Sequence, residues 1–224
     1  MQEKFRVMLD MQHRMNTRVH QDWIAQGFAW HRALWIECGE LIDHHGFKWW
    51  KKQSPDMEQV KLEIVDIWHF GMSMLFDGSN SAAEIAAQLA AELNAATLPA
   101  MPFREAVEDL ACHVLAKRHF CVRRFWRMMV AADMSADELY RAYVGKNVLN
   151  FFRQDHGYKD GSYRKVWAGR EDNEHLAELA GGLDSAAESY PERLYEALHT
   201  RYFDTMEEET GRSLNYVIHK AENR

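Results

Sequence analysis

Apolar residues recur at steps of three and four along nearly the whole chain, and no long run alternates apolar and polar. Such spacing puts an apolar stripe on one helix after another, and it denies a half-buried strand its period of two. Gly and Pro are scarce, at 12 and 4 of 224 residues, and Ala, Leu, Glu and Met are common. That balance favours helices over a sandwich or barrel. With 47% hydrophobic residues, eight Trp, eleven Phe and eight Tyr, the chain can bury a sizeable core. The expectation is an all-α multi-helix bundle forming a single domain over 1–224.

Helices are expected at about 1–25, 28–45, 56–76, 81–95 and 102–131, then from Ser135 to Gly157, and at about 172–180, 186–206 and 207–221. Ser54-Pro55 reads as a helix start, a hydroxyl cap followed by Pro at the first helical position. "TLPAMP" separates the Ala-rich fourth helix from the fifth. Ser135-Ala-Asp-Glu138 and Ser189-Tyr-Pro-Glu192 have capping-box spacing, the latter marking a kink within 186–206. "HGYKDGSYRKVWAGRED" is the longest irregular stretch, a surface loop or a lid.

Net charge is 27 − 34 = −7, which argues against non-specific binding to a nucleic acid polymer. The three cysteines, Cys38, Cys112 and Cys121, form no CxxC pair and lie among apolar residues, so buried thiols in a reducing compartment are expected. The charged start, Met-Gln-Glu-Lys-Phe-Arg, has no apolar h-region, and no stretch approaches the ~20 apolar residues of a membrane span. The expectation is a cytoplasmic protein with no membrane partner.

"ALWIECGELIDHHGFKWWKK" holds two carboxylates among apolar neighbours. At about 100° per residue, Glu37 and Glu40 fall on one helical face about 60° apart. Leu34, Cys38 and Leu41 flank them on one side and Ile36 on the other. "LEIVDIWHF" repeats the arrangement with Glu63 and Asp66, between Leu62 and Phe70 on one side and Ile64, Ile67 and Trp68 on the other. The 22 residues between Glu40 and Glu63 allow an antiparallel hairpin that brings all four acids together. Clustered carboxylates in an apolar setting repel one another and resist ionisation. Their natural partner is a hard divalent cation, and Mg²⁺ fits. The plainer alternative is a pair of amphipathic helices whose acids face water. A di-iron reading from Asp66-x-x-His69 and Glu196-x-x-His199 is weaker. His69 lies about 120° around the helix from the acidic stripe and reads as a hydrogen-bonded core histidine.

Cations and amides follow late in the chain. Lys146, Asn150 and Arg153 share one helical face, and Tyr158, Lys165 and Asn173 come from the glycine-containing stretch and beyond. This set suits a phosphate chain and a polar nucleoside, or else a solvated helix edge. In "KWWKK", Trp50 offers a face for stacking a base and Lys51 a charge beside it, unless the pair of Trp only anchors a helix connection. Gln12 and Asn16, four apart, can meet a pyrimidine edge or only water.

In series, Gln12…Asn16, "ECGELID", "KWWKK", "EIVDIWHF" and "GKNVLNFFRQDHGYKDGSYRKVWAGREDN" resemble the dimeric all-α dUTPases, within the all-α NTP pyrophosphatase superfamily that includes the MazG-like enzymes. ExxE…ExxD marks only the superfamily, whereas the late Lys-Asn-Arg-Tyr-Lys-Asn series is specific to the dUTPase branch. The resemblance implies a homodimer that hydrolyses dUTP, and often dUDP, with release of pyrophosphate from dUTP. It implies Mg²⁺ at Glu37, Glu40, Glu63 and Asp66; for a water activated by that metal, Glu37 or Glu40 is the candidate general base. It also implies a uracil and deoxyribose pocket at Gln12, Asn16 and Trp50. Phosphate contacts would come from Lys146, Arg153, Tyr158 and Lys165, with Asn150 and Asn173 as polar nucleotide contacts. "DHHGF" ahead of the Trp pair departs from the family pattern. A related pyrophosphatase for another dNTP, and a non-catalytic nucleotide-binding helical dimer, remain alternatives.

Overall fold

The computed structural model describes residues 1–95, 99–185, 187 and 189–222, with side chains described as far as Glu207. Among the described residues the fold is all-α, as expected, with nine helices and one two-stranded ribbon. No helix is long and apolar enough to cross a membrane among those residues. The helices are α1 (Gln2–Val19), α2 (Trp30–His45), α3 (Met57–Ser73), α4 (Ala82–Ala95), α5 (Phe103–Lys117), α6 (Val122–Ala131), α7 (Ala136–Asp155), α8 (Asp172–Gly181) and α9 (Tyr190–Glu222). The chain forms two compact units, Met1–Tyr143 and Val144–Arg224.

In the first unit α2 packs on α3 and α5, α1 on α3 and α4, and α6 on α4 and α5. The core centres on Trp68, fully buried, with Phe125 stacked at 4.9 Å and Phe5 and Phe120 at 5.7 and 5.9 Å. Helix α3 is buried over most of its circumference, through Val60, Ile64, Val65, Ile67, Trp68 and Met72. A helix apolar on nearly all sides belongs inside, so an acid carried on it is drawn toward the interior. Gly71 makes this packing possible. A Cβ there would lie 2.5 Å from the Phe120 ring.

In the second unit Phe152, Trp167 and Tyr202 form an aromatic core. The stretch expected to be irregular carries a hairpin, β1 (Val166–Trp167) and β2 (Arg170–Glu171), paired Val166↔Glu171 and Trp167↔Arg170. Its two turn residues, Ala168 and Gly169, have φ of 48° and 78°, the left-handed pair that matches the twist of a two-residue hairpin. Trp167 is wholly buried and donates from Nε1 to the Arg164 carbonyl at 2.6 Å.

Several boundaries differ from the sequence reading. The helix expected over 102–131 is two, α5 and α6, broken where Arg118 takes φ 53°. "KRHFC" contains no Gly or Pro to announce the break. Asp56, not Ser54, caps α3, its carboxylate accepting from the Gln59 amide at 3.2 Å. Ser189 marks the start of α9, a single helix where a kink and two helices were expected. The Ser135–Glu138 box forms as read, with Glu138 Oε2 accepting from the Ser135 amide at 2.8 Å and Ser135 Oγ from the Glu138 amide at 3.2 Å. Of "TLPAMP", Thr97 and Leu98 lie outside the described residues. Only Cys38 is a buried thiol; Cys121 is half-buried and Cys112 exposed.

Gly71→Ala should destabilise the fold by about 1–3 kcal/mol through overpacking against Phe120, read as a lower midpoint in denaturant unfolding; an unchanged midpoint would contradict this packing.

Candidate active site

The end of α2 and the start of α3 are drawn together where the Asp56 amide donates to the His44 carbonyl at 3.0 Å. Gly46 ends α2 with φ 84°, a value costly for other residues, and a Cβ there would meet Gln53 at 3.0 Å. The Gln53 side-chain Oε1 accepts from the amides of Phe47 and Lys48, at 3.0 and 2.7 Å, and Lys48 Nζ reaches Asp43 at 2.9 Å. The unusual "HHG" sequence is thus a glycine-capped helix end with a divided histidine pair. His45 packs on Phe103 at 4.5 Å and accepts from Arg104. Burial, then the Arg104 charge, lowers its pKa. His44 turns the other way, with Nε2 3.5 Å from Glu63 Oε1. Sequence reasoning did not place His44 at the site, although its step of seven from Glu37 was a usable signal.

The two helices run back from this connection, and Glu37 on α2 meets Glu63 and Asp66 on α3. One carboxylate oxygen of each lies within 4.8 Å of the others. Glu63 is 8% exposed, and the other two are half-buried. Oxygens on opposite sides of a divalent ion bound at about 2.1–2.4 Å are separated by about 4.2–4.8 Å, so the spacing suits such an ion. Glu40 does not join this cluster. It is exposed, one turn further along α2, although its charge still acts on Glu37. The apolar wall is also one-sided. Leu34, Cys38 and Leu41 are buried, while Trp35, Ile36 and Leu62 are 48%, 50% and 44% exposed.

Crowding shows in the proton affinity of Glu37, raised from its ordinary 4.5 to about 8. Burial is the largest cause, followed by a hydrogen bond with Glu63 and repulsion from Asp66, Glu63 and Glu40. At neutral pH the cluster therefore retains a proton unless a cation replaces it. Burial and the neighbouring Glu37 charge also raise the Cys38 thiol to about 12, leaving it inert.

Gln12 and Asn16, only 4% and 7% exposed, belong to a buried network. Gln12 Nε2 donates to Asn16 Oδ1 at 2.9 Å, and Asn16 Nδ2 donates to Ser73 Oγ at 2.9 Å. The Gln12 side-chain Oε1 accepts from the Tyr143 hydroxyl at 3.0 Å and faces His69 Nδ1 at 2.8 Å. His69 is thus the hydrogen-bonded core histidine expected from its helical angle. Glu196 and His199, the other half of the di-iron reading, are exposed, and the cluster found among the described residues contains no histidine.

Trp50 is 60% exposed, set edge-on to Phe47 and Trp49, with Lys51 exposed beside it. In the second unit Lys146, Asn150 and Arg153 are half-buried on α7. Arg153 forks onto Asp172 through Nε and Nη2, both at 2.8 Å, and its Nη1 points to Asn150 Oδ1 at 3.5 Å. Asp172 is fully buried and also accepts from the Tyr163 hydroxyl at 2.9 Å. Burial, then Asp172, pushes the Tyr163 phenol well up, so it stays a donor. The Arg153–Asp172–Tyr163 clasp was not anticipated, because Asp172 lies in a run of charges that reads as solvated surface. Tyr158 is 52% exposed with the Arg153 guanidinium 6.0 Å from its ring centre. Lys165 Nζ sits 3.4 Å from Glu171 Oε2 in an exposed pair, and Asn173 is exposed in the first turn of α8.

The family model for dUTPase matches residues 4–158, a span that contains the carboxylate hairpin. The chain belongs to the all-α dUTPase family. It is a dUTP diphosphatase, hydrolysing dUTP to dUMP. Comparison with curated proteins finds no match. Of the nucleotide-contact residues read from the sequence, only Lys165 and Asn173 lie beyond the matched span. dUTPases are generally divalent-metal dependent, and the acidic triad suits such an ion.

Because folded Glu37 holds its proton up to about pH 8 and unfolded Glu37 releases it near 4.5, the folded state binds more protons between these values. The metal-free enzyme should therefore lose thermal stability as pH rises through that window. Glu37→Gln should flatten the dependence, and a divalent cation should raise Tm more at pH 8 than at pH 6. A Tm in EDTA that rises toward pH 8 would contradict the arrangement.

Proposed function

We propose that this dUTPase works with Mg²⁺ held by Glu37, Glu63 and Asp66, with Glu40 at the rim of the site. The convergence of three oxygen donors within 4.8 Å of one another supports this reading. A bound divalent cation would screen the triphosphate and lower the pKa of the attacking water. Glu37 or Glu40 would take the proton from that water. The exposed position of Glu40, outside the triad, leaves it free to accept one.

The remaining residues bind and orient. The amides of Gln12 and Asn16 are fixed by Tyr143, Ser73 and each other, and each retains a hydrogen-bonding position to read a uracil edge. Trp50 stacks on the base and Lys51 adds charge beside it. Lys146, Tyr158, Lys165 and the Nη1 edge of Arg153 hold the phosphates, while Asn150 and Asn173 meet the nucleotide as polar contacts. Asp172 keeps Arg153 in place by occupying its other edge. The same phosphate contacts would admit dUDP. Exposed Trp35, Ile36 and Leu62 beside the acids support a homodimer that covers them. The three free cysteines suit the cytoplasm.

A dNTP panel with pyrophosphate detection tests the reading. EDTA should abolish dUTP turnover and Mg²⁺ restore it. Glu63→Gln and Glu40→Gln should each lower kcat about 10²-fold or more, and Lys165→Ala should raise KM for dUTP about tenfold. Full activity in EDTA would overturn the metal assignment, and wild-type turnover in Glu40→Gln would remove that residue from the site.

A further inference from the structure

Two pairs of polar residues, each spaced four apart, meet where α1 packs on α3. Gln12 and Asn16 come from α1, and His69 and Ser73 from α3. All four are buried. Inside a protein each donor needs an acceptor, so the direction of one hydrogen bond dictates the direction of the next.

The direction is set at Ser73. Its hydroxyl donates to the His69 carbonyl, one turn back on α3, at 3.0 Å, a bond that a serine inside a helix readily makes. A hydroxyl has a single proton. Toward Asn16, therefore, Ser73 Oγ can only accept, and it accepts from Nδ2 at 2.9 Å. This turns Asn16 Oδ1 toward Gln12, whose Nε2 donates to it at 2.9 Å. Gln12 Oε1 then faces the Tyr143 hydroxyl at 3.0 Å and His69 Nδ1 at 2.8 Å, two groups able to donate. The two ends of the network agree on one orientation for both amides. Among the described residues, Asn16 gives one N–H and one lone pair to protein partners and keeps one of each.

The pair that remains can read one edge of a pyrimidine. Uracil presents an N3–H donor beside a carbonyl acceptor. Cytosine presents an N3 acceptor beside an amino donor, the same edge with its polarity reversed. An asparagine free to turn its amide over by 180° serves both bases, and one that is held serves a single base. Ser73 also forms part of the wall of a cavity of about 410 Å³, with Trp23, Trp30 and Phe76. Asn16 thus stands one hydrogen bond from a space whose flat aromatic walls suit a planar ring.

We propose that Ser73 is a positioning residue that makes the site choose uracil over cytosine, by locking the Asn16 amide with Oδ1 toward the base N3–H and Nδ2 toward the adjacent carbonyl. Cytosine would set its N3 lone pair against Oδ1 and its amino group against Nδ2. Both hydrogen bonds would then be lost in a buried setting, which is how a polar site rejects a close analogue. The inference rests on the reading of Asn16 as a contact to the base.

Steady-state kinetics of the full chain, with dUTP and dCTP as separate substrates, tests it. Ser73→Ala should lower the ratio of kcat/KM for dUTP to that for dCTP at least tenfold, through a higher KM for dUTP and a lower KM for dCTP. A packing defect alone would weaken both substrates together and leave the ratio at its wild-type value. Asn16→Ala should lower kcat/KM for dUTP at least tenfold. Wild-type dUTP kinetics in Asn16→Ala would remove that residue from the base pocket, and the inference would fall with it. An impaired Asn16→Ala beside a wild-type ratio in Ser73→Ala would leave the pocket standing and overturn the role of Ser73. Should Ser73→Ala not fold, Ser73→Cys keeps most of the volume with a far weaker acceptor and should lower the ratio several-fold; an unchanged ratio there would also overturn the role.

Discussion

Mutual repulsion among Glu37, Glu63 and Asp66 is the constraint on which the rest of the site depends. Three carboxylate oxygens within 4.8 Å of one another, one of them on a residue only 8% exposed, form an unfavourable cluster in a metal-free protein. Packing holds them there despite that cost. Trp68 follows Asp66 by two residues on α3 and sits among Phe5, Phe120 and Phe125, which fixes the helix that carries Glu63 and Asp66. Gly71 lets α3 press against Phe120, and the Asp56–His44 hydrogen bond closes the hairpin end. The fold holds together acids whose repulsion a divalent cation would relieve.

A similar economy appears in the polar groups. Gln12 and Asn16 are nearly inaccessible, yet their amide orientations are set by Tyr143, Ser73 and each other. Arg153 is held by a fully buried Asp172, which also takes the Tyr163 hydroxyl. In each case a residue read as a substrate contact is first a partner to other protein groups. Such support fixes a polar side chain in one rotamer before substrate arrives, which is how precise recognition is built without flexible loops.

Much of this was legible in the sequence because helical spacing converts directly into geometry. Glu63 and Asp66, three apart in an apolar run, had to share a face of an interior helix, and the hairpin length brought Glu37 to them. The inward turn of His69 followed from the same angle. What was not legible came from the end effects of helices and from single charges. Glu40 lies on the same stripe as Glu37, but one turn carries it to the rim, and periodicity alone cannot say where burial ends. The break at Arg118 has no Gly or Pro to mark it. The 166–171 hairpin depends on Ala168 accepting a left-handed conformation, and Asp172 looks like surface until the half-buried Arg153 is seen beside it.

The most direct test of the central claim is the number of protons released when Mg²⁺ binds, measured by titration calorimetry in buffers of different ionisation enthalpy. A group that titrates at about 8 is largely protonated at neutral pH. Mg²⁺ should therefore displace on the order of one proton per chain at pH 7, falling well below that at pH 9, and Glu37→Gln should abolish the release. Binding at pH 7 with no proton release, or release unchanged in Glu37→Gln, would contradict the account.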